Sequence, residues 1–231
     1  MNDLYYGNLN KTFLPYLEKK NIFTEYFDEL SMIPFPNFYE SLQENAIIMD
    51  VQSKAEQSSE WDKVRNFCFS WDSDLINSIQ TSLNKLGIPY DDIYIEYLTN
   101  ISEDLGALIM QLKNHYQRAR PYQYALYGNQ KLHPYETFSG HTPSYPSGHA
   151  TQIYFLCKVI ATHYEEKAKE LDALAKRVAD SRVIMGIHFP SDNDFGFSIA
   201  QTLLEKEDII SKYLEYYISL FWCHCFISVK G

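Results

Sequence analysis

Apolar positions recur along most of the chain at spacings of three and four, the period of an amphipathic helix. The clearest case is Leu75, Ile76, Ile79, Leu83 and Leu86. Asp72 or Ser73 offers an N-cap ahead of this run, and Gly87 and Pro89 stop it. From Asp91 to about Arg118 the pattern repeats through Leu98, Ile101, Leu105, Leu108, Ile109 and Leu112. The stretch from Pro121 to Pro146 is rich in Tyr, Gly, His and Pro and reads as a loop, too long for a mere connector. Helical spacing returns from Gly148 to Phe189, predicting two helices with a break near Glu165 to Lys169. A further helix is predicted from Phe197 to Trp222, after "PSDNDFG". Residues Ser41 to Phe69 are weakly amphipathic and predict helix, while "MIPFPNFYE", with Pro34 and Pro36, reads as an extended linker or lid. Strand alternation is missing throughout. The predicted fold is all-α, one helical domain over residues 1–231 whose less regular first part (about 1–70) packs on or covers the core.

Composition narrows the function classes. A chain of 231 residues with 45% hydrophobic content is ample for one sizeable core. Thirty acidic against 20 basic residues give a formal net charge of −10, which argues against nucleic acid or an anionic membrane as partner. Any bound anion must therefore meet a local basic cluster. The four cysteines are not spaced as a disulfide framework, and Cys223-His224-Cys225 lacks the second pair of a closed zinc site, so no metal is expected. The N-terminus lacks signal-peptide character and no apolar run reaches membrane-span length, so a cytoplasmic protein is expected. The closest run, Tyr216 to Val229, reads as a packed terminal helix or strand rather than a membrane-surface anchor.

Three clusters are rich in groups that handle phosphate. In "KNHYQRARP", Lys113 and Arg120 lie seven residues apart and share a face if the helix persists that far; basic residues also simply favour a helix C-terminus. In "TPSYPSGHAT", a turn feeds a helix start, where free N–H groups favour anions. There Gly148 permits close backbone approach, Ser147 is a hydroxyl donor or an N-cap, and His149 is a candidate proton donor. In "SRVIMGIHFPSDNDFG", Arg182 ends a helical segment, and Asp192 follows His188 by four residues. A carboxylate so placed fixes one ring nitrogen and frees the other to attack, or else caps the next helix.

Taken in order, Lys113-x6-Arg120-Pro121, Pro146-Ser147-Gly148-His149 and Ser181-Arg182-x5-His188-x3-Asp192 resemble the three-part signature of the type 2 phosphatidic acid phosphatase superfamily. That group includes soluble class A acid phosphatases and vanadium-dependent haloperoxidases. The extended form His188-x-Pro190-Ser191-Asp192-x3-Gly196 is matched too, and the likeness covers Lys113 to Gly196. The resemblance implies a helical bundle of the acid phosphatase/vanadium haloperoxidase type with its site at the core. It implies that Lys113, Arg120 and Arg182 clamp phosphate oxygens, with Ser147 and the Gly148 N–H adding hydrogen bonds. His188 would be the nucleophile, oriented by Asp192, and His149 the acid and then the base. The implied activity is hydrolysis of a small phosphorylated substrate through a phosphohistidine, without metal or cofactor. Vanadate would be an inhibitor, or the cofactor if the chain is instead a haloperoxidase. Charged residues on the motif-bearing helices, such as Glu103, Asp104 and Lys158, argue against a membrane-embedded lipid phosphatase. A homodimer is an open expectation, because related soluble enzymes associate. Arg118 and His141 fall outside the signature and read as surface or loop residues; the Tyr-rich loop could shape substrate entry or merely pack.

Overall fold

The computed structural model describes residues 4–7, 11–137 and 139–215. The apolar run at 216–229, with Cys223-His224-Cys225, lies outside the described residues. The fold is all-α. Its helices are α1 (Leu14–Glu18), α2 (Phe27–Leu30), α3 (Phe38–Glu56), α4 (Trp61–Ser73), α5 (Leu75–Leu86), α6 (Asp92–Tyr116), α7 (Pro121–Tyr127), α8 (Gly148–His163), α9 (Ala168–Ile184), α10 (Pro190–Leu204) and α11 (Glu207–Ile209). The break in the long second half falls at residues 164–167, where a short 3-10 turn joins α8 to α9.

The caps follow the side-chain chemistry. Asp91 opens α6 by accepting a hydrogen bond from the Tyr94 N–H at 2.8 Å. Gly87 closes α5 with φ +69°, a conformation that suits a residue without Cβ. The N-cap of α5 is Asp74, bonded to the Asn77 N–H at 2.9 Å, and not Asp72 or Ser73. Asp72 remains inside α4, which frees its carboxylate for another task.

Three further expectations need correction. The first concerns the face shared by Lys113 and Arg120. Helix α6 ends at Tyr116, Gln117 takes the left-handed conformation (φ 53°), and Arg120 stands in extended backbone as the residue before α7. The two cations converge because the chain turns, not because one helix carries both. The second is the loop from 121 to 146. Its first seven residues form α7, with Pro121 at the first-turn position where a missing N–H costs little. Likewise α10 begins at Pro190 rather than at Phe197.

Helix α8 packs on α9 and α10 and touches α6. Its apolar face (Ile153, Leu156, Val159, Ile160) meets Leu105, Leu108, Val178, Ile199 and Leu203 in the main core. Gly196 sits where α10 runs against the start of α8. A Cβ there would lie 2.9 Å from the Ser147 carbonyl oxygen and 3.0 Å from Thr151 Oγ1. The N-terminal helices are built into the structure: α3 packs on α7 and α9, and α4 packs on α9. In the segment read as a linker or lid, Phe35 packs edge-on against Tyr116, and Asn37 caps α3 in a reciprocal box with Glu40. No helix of the described residues is long and apolar enough to cross a membrane.

Candidate active site

The site begins where α9 stops. Gly186, at φ +69°, reverses the chain, and the N–H groups of Ile187 and His188 both donate to the Arg182 carbonyl at 3.3 Å. This turn delivers His188 to the first turn of α10. Asp192, three residues into that helix, accepts from the Phe189 N–H at 2.9 Å and faces His188 Nδ1 at 3.0 Å. The other ring nitrogen, Nε2, lies 3.0 Å from Arg120 Nη1. A carboxylate only accepts and a guanidinium only donates, so Nδ1 carries the proton and Nε2 holds a lone pair. Burial, then the charges of Arg120 and Lys113, push the His188 pKa well below its usual value against the pull of Asp192. The imidazole is neutral, with its lone pair aimed into the cationic end of the site.

Asp192 is itself held from behind. Ser144 Oγ donates to its Oδ2, and Arg118 Nη1 donates to its Oδ1 at 2.6 Å. Burial alone would raise this carboxyl, but Arg118, His188 and Ser144 together hold it well below the ordinary range. Arg118, close enough in sequence to line the pocket but read as a surface or loop residue, is wholly buried. Its guanidinium stacks 3.9 Å from the Phe189 ring centroid and donates to Ser191, Ser41 and Glu44. Glu44, on α3, also accepts from the Ser191 N–H at 2.7 Å. A chain of contacts therefore runs from Glu44 through Arg118 and Asp192 to His188.

The three predicted cations converge around this centre. Lys113 Nζ donates to the Pro143 carbonyl at 2.5 Å; burial, then Arg120, hold its pKa well below that of a free lysine. Arg120 is fixed by the carbonyls of Thr142, Ile187 and Ser139 at 2.7, 2.6 and 2.8 Å. Burial pushes its pKa down to about 10. Arg182 Nη2 donates to Asp72 and to Ser139 Oγ. Its Nε and Nη1 are buried and find no hydrogen-bond acceptor among the described residues. Two orphan donors on a buried guanidinium are costly unless an acceptor arrives. Phosphate oxygens are acceptors of the kind those donors lack.

The start of α8 completes the arrangement. Ser147 is its N-cap, with Oγ accepting from the Ala150 N–H at 3.4 Å, so the cap reading holds and its hydroxyl is partly committed. The Ser147 N–H donates to the Asp192 carbonyl at 2.9 Å, tying the two helix starts together. His149 Nε2 lies 3.0 Å from the Trp71 carbonyl, an acceptor, so Nε2 carries the proton and Nδ1 the lone pair. Burial and then Arg182 push the His149 pKa down to about 3, with Asp72 and the Trp71 carbonyl opposing. With only protein groups around it, His149 is neutral near pH 7, whereas the sequence reading needs it charged. A phosphate dianion beside it would supply the missing negative charge. Burial would raise the Asp72 carboxyl, but Arg182 and the bond from Ser139 keep it below its usual pKa.

Residues 97–204 match the family model of the PAP2 superfamily. Over 85 residues the chain is 35% identical to the non-specific acid phosphatase of Salmonella typhi, a stretch amounting to 36% of this chain. The match spans 33% of that relative's length. All eight residues named from the sequence fall inside the PAP2 segment. Glu44 and Asp72, which the sequence reading missed, lie outside it. Each is one carboxylate among many on an amphipathic helix, and its arginine partner is more than seventy residues away. No local pattern could have singled them out.

Proposed function

We propose that the protein is a phosphomonoesterase working through a phosphohistidine, with side chains alone supplying the chemistry. The observation that carries this is the His188 tautomer: Nδ1–H donates to Asp192, and Nε2 carries no proton and accepts from Arg120. Nε2 attacks phosphorus as the bond to the leaving oxygen breaks, and a proton from His149 goes to that oxygen. Water then attacks the phosphohistidine, gives its proton back to His149, and Nε2 departs from phosphorus. Asp192, backed by Arg118, steadies the positive charge His188 gains. Arg182, Arg120, Lys113 and the α8 N-terminus stabilise the charge on the transferring group. The family-model match and the partial likeness to an acid phosphatase support the same reading.

The test is phosphomonoester hydrolysis in chelator, with wild type beside His188→Ala. Wild-type turnover should persist without metal. The variant should lose roughly 10³-fold or more in kcat, as expected when a nucleophile is removed. Phosphate should be trapped on wild type as an acid-labile adduct. Full activity in His188→Ala would end the mechanism. Vanadate is expected to inhibit, and halide oxidation by peroxide in its presence would favour a haloperoxidase instead.

A further inference from the structure

Beside the anion cradle lies a cleft of about 870 Å³ that the proposed chemistry does not use. Its walls come from three places in the chain: Phe69 on α4, Tyr122 on α7, and Pro134, Tyr135 and Glu136 on the loop after α7. This is the Tyr-rich loop whose role the sequence left open. We propose that the cleft holds the leaving group, and that it selects a phosphomonoester whose alcohol carries a flat ring without negative charge. The inference rests on the phosphatase reading and extends it to substrate class.

Continuity with the site is the first argument. Asp72 and Ile187 also line the cleft. Asp72 is bonded to Arg182, and the Ile187 carbonyl accepts from Arg120 at 2.6 Å. The cleft therefore ends against two of the three cations that would grip phosphate. A group esterified to that phosphate has this space beside it, and the volume lies in the range of small-molecule sites.

The second argument is that the aromatic wall is built in advance. The Tyr135 N–H donates to the Met185 carbonyl at 3.0 Å, and its hydroxyl donates to Glu56 at 2.6 Å. Its ring meets Phe69 edge-on at 6.0 Å and Trp61 at 5.9 Å between centroids. A ring already fixed by three side-chain contacts loses little freedom when a second ring packs on it. Flat rings pack well on such surfaces.

Charge sets the third condition. Asp72 and Glu136 are carboxylates on the lining, which carries no lysine or arginine among the described residues. A second phosphate or a carboxylate on the leaving group would meet the Glu136 charge and be repelled, whereas the charge of Asp72 is offset by Arg182.

The test compares kcat/KM for phenyl phosphate, 4-carboxyphenyl phosphate and glycerol 2-phosphate in wild type, Tyr135→Leu, Tyr135→Phe and Glu136→Gln. Ratios between substrates within each protein remove differences in leaving-group reactivity. Tyr135→Leu should cut the phenyl-to-glycerol ratio about tenfold, mainly through KM, while Tyr135→Phe should keep most of it. Glu136→Gln, at an exposed position and harmless to folding, should raise the carboxyphenyl-to-phenyl ratio about threefold at low salt. A phenyl-to-glycerol ratio unmoved by Tyr135→Leu overturns the ring site. A carboxyphenyl ratio unmoved by Glu136→Gln overturns its charge preference. In both cases hydrolysis by wild type leaves the phosphatase reading intact. A wild type that hydrolyses none of the three esters removes that reading, and the subsite with it.

Discussion

The PAP2 segment and the ninety-six residues before it contribute opposite things to one site. The segment supplies the cations and the proposed reacting groups: Lys113, Arg120, Arg182, His149 and His188. The earlier part supplies counter-charge, with Glu44 on Arg118 and Asp72 on Arg182. Both carboxylates are at least partly withdrawn from water, and both reach buried guanidinium groups. Their positions differ in one respect. Glu44 stands behind Arg118, away from His188, whereas Asp72 occupies part of the fork that Arg182 would turn toward phosphate. In the proposed mechanism one supports the nucleophilic histidine and the other competes with the anion.

The largest effect should come from inside the segment. Asp192→Asn keeps the shape but loses the charge that fixes the His188 tautomer, and kcat should fall about 10³-fold or more. If kcat is nearly unchanged, the orienting role is wrong. Next comes Glu44→Gln, which leaves Arg118 short of one charged acceptor. Stability should fall by about 1.5–3 kcal/mol in denaturant melts, and kcat should drop with little change in KM. A KM effect alone would detach Glu44 from the relay. Asp72→Asn should act the other way on binding. Orthophosphate should inhibit at several-fold lower concentration, while kcat falls and the optimum moves to more acid pH, because Asp72 helps His149 hold a proton. If both parameters moved together, Asp72 and Glu44 would be equivalent and the comparison would fail.

A smaller effect follows from pH. His149 and His188 both have pKa values below those of the unfolded chain. The stability they contribute is complete above about pH 6.5 and is lost as pH falls through their folded values, in the case of His149 toward about 3. Asp72 and Asp192, also lowered, deepen the loss below the usual carboxylate range. Melts between pH 7.5 and 4 should show stability falling with acid, by on the order of 1 kcal/mol per pH unit. Saturating orthophosphate should reduce this slope, because it favours the protonated form of His149.

What could be read in advance follows the range of the forces involved. Helices α5 and α6 and the break after His163 are written in local periodicity and local caps. The eight motif residues could be named because each motif is short and its order is fixed. Arg118 was misread because its neighbours in sequence say nothing of Asp192, which lies 74 residues on. Asp72 was misread for a subtler reason: with Ser73 it offers a cap just ahead of the helix, and only the fold decides that Asp74 takes the helix while Asp72 takes Arg182. Helix α7 was hidden by a composition that resembles a loop.

Gly196 has no functional group, yet it sets the separation between the two halves of the chemistry. His149 rides on the start of α8 and His188 on the turn into α10, and these two helices approach to the limit that a bare α-carbon allows. The hydrogen atom at that position works as a spacer gauge. A methyl in its place would leave every acid, base and cation chemically intact and still wedge the proton donor away from the nucleophile. The residue that closes the extended motif is thus a dimension of the active site rather than a member of it.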